Sequence, residues 1–256
     1  MIFGNEILKH LAKSLIIEDK YSSSHWRHYH QYLEVDNNLN IIKSKGFGDG
    51  KNRRIFMANI VHYIFQYPYR KNLLYPSIFN TLDKVGRSNA NNMGYRYSLD
   101  MLRQVLTLNY LKEKSLITTN DISIVIGDGF GALSALLLNA GLSKKVVLIN
   151  LTKTLFVDLS SVLKLPEFNP KNIAYVNTKK DLESAIAIDE VKLIAIEAQN
   201  YKLLEASCAS VVFNIASMQE MDMHHIDAYF DQFRKLARQR DFYFYCCNRE
   251  KKTLPD

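Results

Sequence analysis

Residues 122–142 read ISIVIGDGFGALSALLLNAGL, and this stretch decides the fold. Its first five residues have the apolar, β-branched composition of a strand that is buried on both faces. Three closely spaced glycines follow, at Gly127, Gly129 and Gly131, and then an apolar run that is typical of a buried helix. The stretch therefore predicts a β-turn-α unit.

Similar units surround this one and define the domain organisation. Alternating strands and helices predict an α/β fold with a doubly wound parallel sheet, a Rossmann-like arrangement. Residues 1–115 carry mostly helical patterns, so we expect a helical N-terminal region that contacts substrate or another subunit, followed by a ligand-binding core over 116–256. The further strand-like segments span 146–151, 173–176, 191–198, 209–215 and 242–246.

Composition narrows the class of protein. Of 256 residues, 47% are apolar and 23% are charged, which indicates a globular domain and excludes a disordered chain. The net charge of +7 fits a phosphate-bearing ligand, anionic lipid or nucleic acid, and it equally fits solvated Lys and Arg faces. Three cysteines are too few for a disulfide framework, which favours a reducing, cytoplasmic location. No signal peptide or long apolar run is present, so we expect at most peripheral membrane contact.

The glycine turn indicates a nucleotide-like ligand. Glycines let the backbone turn sharply and approach a ligand closely, while the following helix offers N–H groups at its N-terminus. GDGFGA satisfies both the G-x-G-x-x-G/A pattern of dinucleotide sites and the G-x-G-x-G form usual in S-adenosylmethionine (SAM) sites, so the glycines leave this choice open. A glycine turn without a ligand would use the same residues.

The ends of the other strands should supply the remaining contacts. Asn150 stands where an acid normally holds ribose hydroxyls, and an amide can accept one hydrogen bond and donate another there. Gln199 and Asn200 suit the edge of an adenine ring, although a plain turn would use Asn equally well. The candidate cofactor-binding residues are Gly127, Asp128, Gly129, Gly131, Asn150, Gln199, Asn200, Asn214 and Ser217.

Five segments, in order and spacing, resemble the sugar O-methyltransferase family: IGDGFGALSALLL, VVLINL, FNIASMQEM, HIDAYFDQFR and FYFYCCNREKK. That family is a class I SAM-dependent group associated with bacterial surface polysaccharides, and the resemblance covers roughly residues 95–256. It implies that the glycines and Asn150 hold SAM, that residues 217–221 line the active site, and that a sugar or glycan hydroxyl accepts the methyl group.

The chain departs from that family in two places. Val125 stands where the family often has an acid. The sequence also stops soon after Asn248 and Arg249, so we expect the antiparallel hairpin that completes such a sheet to be truncated.

Methyl transfer to a hydroxyl benefits from a base that removes its proton. Glu220 is the first candidate and His224 the second, with His225 nearby and Asp222 as the expected cap of a helix. We expect no metal, because adjacent histidines on one helix point roughly 100° apart.

Other residues are candidates for substrate or cofactor contact. His25, Trp26 and Arg249 are candidate substrate-binding residues, although the segment SHWRHYH also fits an interface helix, which would allow a homo-oligomer. The SAM carboxylate would suit a basic or phenolic side chain. Its candidate partners are Arg87, Arg96, Tyr97 and Arg103.

Three alternatives remain open. A nucleic-acid methyltransferase fits the basic charge, but Asn214-Ile-Ala-Ser lacks the Asn/Asp-Pro-Pro-Tyr/Phe pattern of enzymes that methylate base amines, so we expect no nucleic-acid partner. An NAD-dependent oxidoreductase fits GDGFGA but lacks the acid at Asn150. A catalytically silent SAM-binding subunit is the third alternative.

Overall fold

The computed structural model describes residues 1–17, 21–44, 56–70 and 76–253. Within these residues a seven-stranded sheet is covered by helices on both faces, which confirms the predicted α/β class with its Rossmann-like arrangement. Every neighbouring strand pair in this sheet is parallel, except the pair at one edge.

The strands of the large sheet are β1 (Ile2–Phe3), β4 (Ile122–Ile126), β5 (Lys145–Asn150), β6 (Ile173–Tyr175), β7 (Leu193–Glu197), β8 (Val211–Ile215) and β9 (Tyr243–Cys247). Two further strands, β2 (Leu33–Val35) and β3 (Ile41–Ser44), form a separate antiparallel hairpin. The order in the large sheet is β1-β6-β7-β5-β4-β8-β9.

The helices are α1 (Asn5–Ala12), α2 (Ser24–His30), α3 (Phe56–Arg70), α4 (Pro76–Met93), α5 (Leu99–Glu113), α6 (Ala132–Asn139), α7 (Thr152–Val162), α8 (Lys179–Ala187) and α9 (Met223–Ala237). Short 3-10 segments cover Pro170–Asn172, Ala198–Ala206 and Met218–Glu220. None of the described helices is long and apolar enough to cross a membrane.

The strand order fixes where a ligand can bind. From β4 the chain moves outward through β5 to β6, steps back to β7 between them, and then crosses to the other side of β4 through β8 to β9. The order β7-β5-β4-β8-β9 is that of a doubly wound sheet, and β6 adds one strand outside β7. The direction of winding reverses between β4 and β8, so a crevice opens there at the carboxyl ends of the strands.

Alternation along the strands produces two apolar layers. Val125 and Leu148 face one side, where they share a core with helices α1 and α4–α7. Ile124 and Val147 face the other side, with helices α8 and α9. Because both faces of these strands are buried, the strands read as continuous apolar runs rather than as alternating ones.

The N-terminal region differs from the helical pattern expected for it. Strand β1 extends the sheet edge, with Ile2 opposite Tyr175 in antiparallel register, and the β2–β3 hairpin follows α2. These strands have only two to four residues, which is too few for the alternation of apolar and polar residues along a strand to be visible in the sequence. Pro68 lies inside α3 and does not end it, since the helix continues to Arg70.

The segment from Gly86 to Gly94 is rich in Gly, Ser and Asn, which are typical of breaks between helices, yet α4 runs through it to Met93. Small residues there let two helices approach: a Cβ at Gly86 would lie 3.1 Å from Val105 Cγ2 on α5. Asn89 also accepts a hydrogen bond from Asn139 at 2.9 Å. Helix packing therefore outweighs the low intrinsic propensity of this stretch.

At the opposite edge, β9 pairs in parallel with β8, and no antiparallel strand follows it up to residue 253. The expected truncation of a terminal hairpin remains a prediction.

Candidate functional site

The glycine turn joins β4 to α6 in left-handed backbone geometry. The φ angles are 69° at Gly127, 63° at Gly129 and 66° at Gly131. A Cβ at Gly127 would lie 1.9 Å from Ser217 Oγ, so packing alone requires glycine there. A Cβ at Gly129 would meet nothing within 4 Å. Gly129 thus borders open space, which a ligand can fill.

Two buried carboxylates hold the turn in place. Asp128 accepts hydrogen bonds from the Leu133 and Ser134 N–H groups at 2.8 and 2.7 Å. Asp158, fully buried on α7, accepts from the Gly131 N–H at 3.1 Å. The N–H groups that we expected α6 to offer to a ligand are thus engaged at these three positions, which corrects that expectation.

Burial also changes the acidity of these carboxyls. It raises the pKa of Asp128 to about 6, against the opposing effect of its hydrogen bonds. Burial raises the pKa of Asp158 well above its usual range, and the nearby Asp128 carboxylate raises it further. The pair therefore cannot easily carry two negative charges at neutral pH.

Two cavities open at the carboxyl ends of the strands. The first, which we call the tyrosine cavity, spans about 520 Å³ including space open to solvent, and its lining includes Ile149, Leu151, Ala198, Tyr201 and Tyr229. The second, the arginine cavity, spans about 910 Å³ including space open to solvent, and its lining includes Ser98, Arg103, Gln104, Gly129 and Phe130. Both are lined by Trp26, Gly127, Asn150, Ser217 and Glu220. A ligand lying across these shared residues could occupy both cavities.

Asn150 lies at this shared wall, as its place at the end of β5 predicts. Its side-chain nitrogen donates to Asp158 Oδ2 at 2.8 Å, and its side-chain oxygen accepts from the Leu151 N–H at 3.0 Å. The amide thus links the second strand of the core to the carboxylate that holds the glycine turn.

Four predicted cofactor-binding residues line neither cavity: Gly131, Gln199, Asn200 and Asn214. A Cβ at Gly131 would lie 2.4 Å from Val162 Cγ2, so that glycine faces the packed interior. Asn214 is fully buried and donates to the Ile126 carbonyl at 3.0 Å, so it joins β8 to β4. Gln199 is exposed and donates to Glu197 Oε2 at 3.2 Å. Asn200 lies in the same 3-10 segment at the end of β7. The flanking residues Ala198 and Tyr201 reach the tyrosine cavity instead.

Glu220, the first candidate base, lies at the shared wall among charged and polar partners. The Lys252 ammonium forms an ion pair with Glu220, and His25 Nε2 lies 3.5 Å from Glu220 Oε1. Ser23 Oγ donates to the Glu220 backbone carbonyl. Burial lowers the pKa of His25 and outweighs the opposing effect of Glu220. His25 is therefore a neutral imidazole at neutral pH and can accept a proton.

The two histidines at the start of α9 differ in position. His224 is exposed and lines neither cavity, whereas His225 lines the tyrosine cavity and packs against Tyr21 at 5.0 Å between ring centroids. Asp222 is the N-cap residue of α9, as expected, but its side chain makes no capping hydrogen bond.

The expectation that the two adjacent histidines point apart is wrong. Their ring centroids are 3.9 Å apart.

The predicted substrate-binding residues separate into two groups. Trp26 lines both cavities and His25 contacts Glu220, so helix α2 reaches the crevice. Arg249 is exposed, and its backbone N–H donates to Gln219 Oε1 at 2.7 Å. The structure therefore brings the N-terminal pair to the site and leaves the Arg249 side chain outside both cavities.

Of the four candidate partners for a ligand carboxylate, Arg103 lines the arginine cavity and forms an ion pair with Asp100 at 2.8 Å, whereas the other three line a separate cavity beside His62. Arg87 and Tyr97 instead bind the carboxylate of Asp83, at 2.9 and 2.6 Å. Arg96 Nη1 lies 3.1 Å from a ring nitrogen of His62.

The sequence analysis missed several residues of the site, among them Tyr201, Asp158 and Lys252. Asp158 had a signal, since it is an acid inside the apolar helical run LFVDLSSVL. Lys252 had none, because only the fold brings it to Glu220.

Comparison of the chain with protein-family models, with curated proteins and with solved structures gives no match. The arguments for a function therefore come from the geometry and from the sequence motifs.

Proposed function

We propose that this chain binds SAM in the crevice and transfers its methyl group to an oxygen, with a sugar hydroxyl as the acceptor. One observation carries the proposal: the glycine turn borders open space between two cavities, while buried carboxylates engage the N–H groups behind it.

The carboxylates favour SAM over a dinucleotide. In dinucleotide sites the pyrophosphate accepts hydrogen bonds from the helix N-terminus. Here the Leu133 and Ser134 N–H groups already donate to Asp128. A pyrophosphate would have to replace that carboxylate and leave it unsatisfied, at a cost of about 1–3 kcal/mol for each buried group. SAM carries positive charge on its sulfonium and ammonium groups, which suits a turn held by acids.

The lining of each cavity suits one part of the ligand. Aromatic and aliphatic side chains in the tyrosine cavity fit an adenine ring, with Tyr201 and Tyr229 at 5.9 Å between ring centroids. Gly127, Asn150 and Ser217 would hold the middle of the molecule, since they line both cavities. Arg103 in the arginine cavity offers a partner for a carboxylate or for a phosphate on the acceptor.

Glu220 and His25 provide the proton acceptor for the acceptor hydroxyl. When bound, SAM supplies an electrophilic methyl group on its sulfonium. Glu220 lines both cavities, so it can reach a hydroxyl that enters from the arginine cavity. His25 lies 3.5 Å from its carboxylate and can stabilise the proton once it is transferred.

A sugar acceptor rests on the family resemblance and on one contact surface. The indole of Trp26 lines both cavities, and aromatic faces stack on the apolar faces of sugar rings. The arginine cavity opens to solvent, so a sugar residue can enter it from outside.

Thermal unfolding with SAM, its demethylated product or NAD tests the cofactor. We expect both SAM and the product to raise Tm, and NAD to leave it unchanged. The variant Gly129→Leu should lose the shift, because its side chain would enter the crevice. Gly141→Leu is the matched control, since Gly141 has a φ of 64° and also borders open space but lies outside both cavities.

A Tm rise with NAD alone would overturn the proposal. Transfer of labelled methyl from SAM to nucleotide-linked sugars then tests the acceptor, and SAM binding without transfer to any acceptor would indicate a silent subunit.

A further inference from the structure

Three potential metal ligands meet at the start of α9, close to the tyrosine cavity. Asp222, His224 and His225 each offer one ligand atom, and these atoms lie within 4.8 Å of one another. Two imidazoles and a carboxylate are a ligand set that divalent transition metals prefer.

The missing capping hydrogen bond of Asp222 is a second observation that supports a metal site. An aspartate directly before a helix normally accepts a hydrogen bond from an N–H of the first turn. Asp222 occupies that position without such a bond, and its carboxylate lies beside the two imidazoles instead. The carboxylate therefore keeps its oxygens for another partner, at a site where its charge offsets the partial positive charge of the helix N-terminus.

The geometry allows a shared ion after small side-chain rotations. Tetrahedral ligands about 2.0–2.1 Å from an ion lie roughly 3.4 Å from each other. Ligand atoms as far apart as 4.8 Å must therefore approach one another by up to roughly 1.4 Å. The His224 ring is exposed on the surface, where it can rotate. The imidazoles already lie close, at 3.9 Å between centroids.

We propose that Asp222, His224 and His225 bind one divalent transition-metal ion such as Zn²⁺. Three protein ligands leave at least one coordination position for water or an oxygen ligand, as in catalytic rather than structural zinc sites. His225 and Met221 line the tyrosine cavity, so the ion lies at the rim of that cavity. The site depends only on these three residues and is independent of the proposed methyl transfer.

Metal-free protein titrated with Zn²⁺ by calorimetry, and with Co²⁺ by visible absorption, tests this site. We expect one ion for each chain. Each of Asp222→Asn, His224→Gln and His225→Gln should weaken binding more than about tenfold, because loss of a direct ligand should exceed the effect of losing a supporting contact. His28→Gln is the matched control, since His28 is an exposed histidine on α2, outside the cluster.

Asp222→Asn keeps the fold testable, because its side chain makes no capping bond to lose. Absence of Zn²⁺ uptake by the wild-type chain would overturn the site. Equal Zn²⁺ uptake by Asp222→Asn would overturn it too, because only two surface histidines would then remain as ligands. The titration contains no SAM, so the two proposals fail separately. A chain that binds the ion but not SAM contradicts only the proposed function. A chain that binds SAM but not the ion contradicts only the metal site.

Discussion

The glycine turn and the rim around Glu220 border the same crevice, but they are built in different ways. The turn spans residues 127–131 and is held by Asp128 within it and by Asp158, only 27 positions further on. The rim joins Glu220 to His25, which is 195 positions away, and to Lys252 near the other end of the chain. The glycine turn can thus be read from a short sequence, whereas the rim exists only after the chain has folded.

Removing Asp158 is the strongest way to break the turn. Asp158→Ala leaves the buried Gly131 N–H and Asn150 amide without acceptors, and we expect a loss of about 3–5 kcal/mol in the free energy of unfolding. Asp158→Asn keeps one of the two acceptor oxygens, so we expect a smaller loss, because one of the two hydrogen bonds survives. Urea unfolding of both variants measures the difference, and equal losses would contradict this account.

Glu220→Gln removes the proposed proton acceptor of the rim while keeping a side chain of nearly the same size. We expect kcat for methyl transfer to fall about 10²-fold, because the amide cannot accept the hydroxyl proton. The affinity for SAM, measured by calorimetry, should change much less. A variant with unchanged kcat would exclude Glu220 as the base.

His30 anchors the rim helix α2 and gives it a pH dependence. Its ring nitrogens lie 3.4 Å from Ser22 Oγ and 3.2 Å from Thr154 Oγ1, and burial lowers its pKa to about 3. The unfolded chain takes up a proton on this histidine near pH 6.5 while the folded chain does not, so stability falls as the pH drops below about 6.5.

By pH 5 the contribution of His30 to this loss is about 2 kcal/mol. The variant His30→Gln has no such group, so its stability should decline less between pH 7 and pH 5. Parallel curves for the two proteins, from urea unfolding at each pH, would show that His30 is not the titrating group.

The parts of the fold that were predicted share a local cause. The strand composition of Ile122–Ile126 and the glycines after it are enough to set a β-turn-α unit, and the repeated units then define the parallel sheet. Trp26 lines both cavities, and its role in substrate binding stays a prediction.

The errors share a long-range cause. The helix through Gly86 is stabilised by its packing against α5, and no pattern within the segment carries that information. Gln199 has the polarity expected of an adenine contact, yet Tyr201 lines the cavity because the 3-10 segment after β7 turns it there. The hydrogen-bonding capacity of a residue type can be read from the sequence, but its direction depends on distant neighbours.

The pairing of Ile2 with Tyr175 sets an order for synthesis on the ribosome. The first strand must wait for more than 170 residues before its partner is made, and helix α2 waits still longer for Glu220. At about 5–20 residues per second this delay lasts roughly 10–40 seconds. The β4–α6 unit can form early, and the wall that carries Trp26 is among the last parts of the nascent protein to dock.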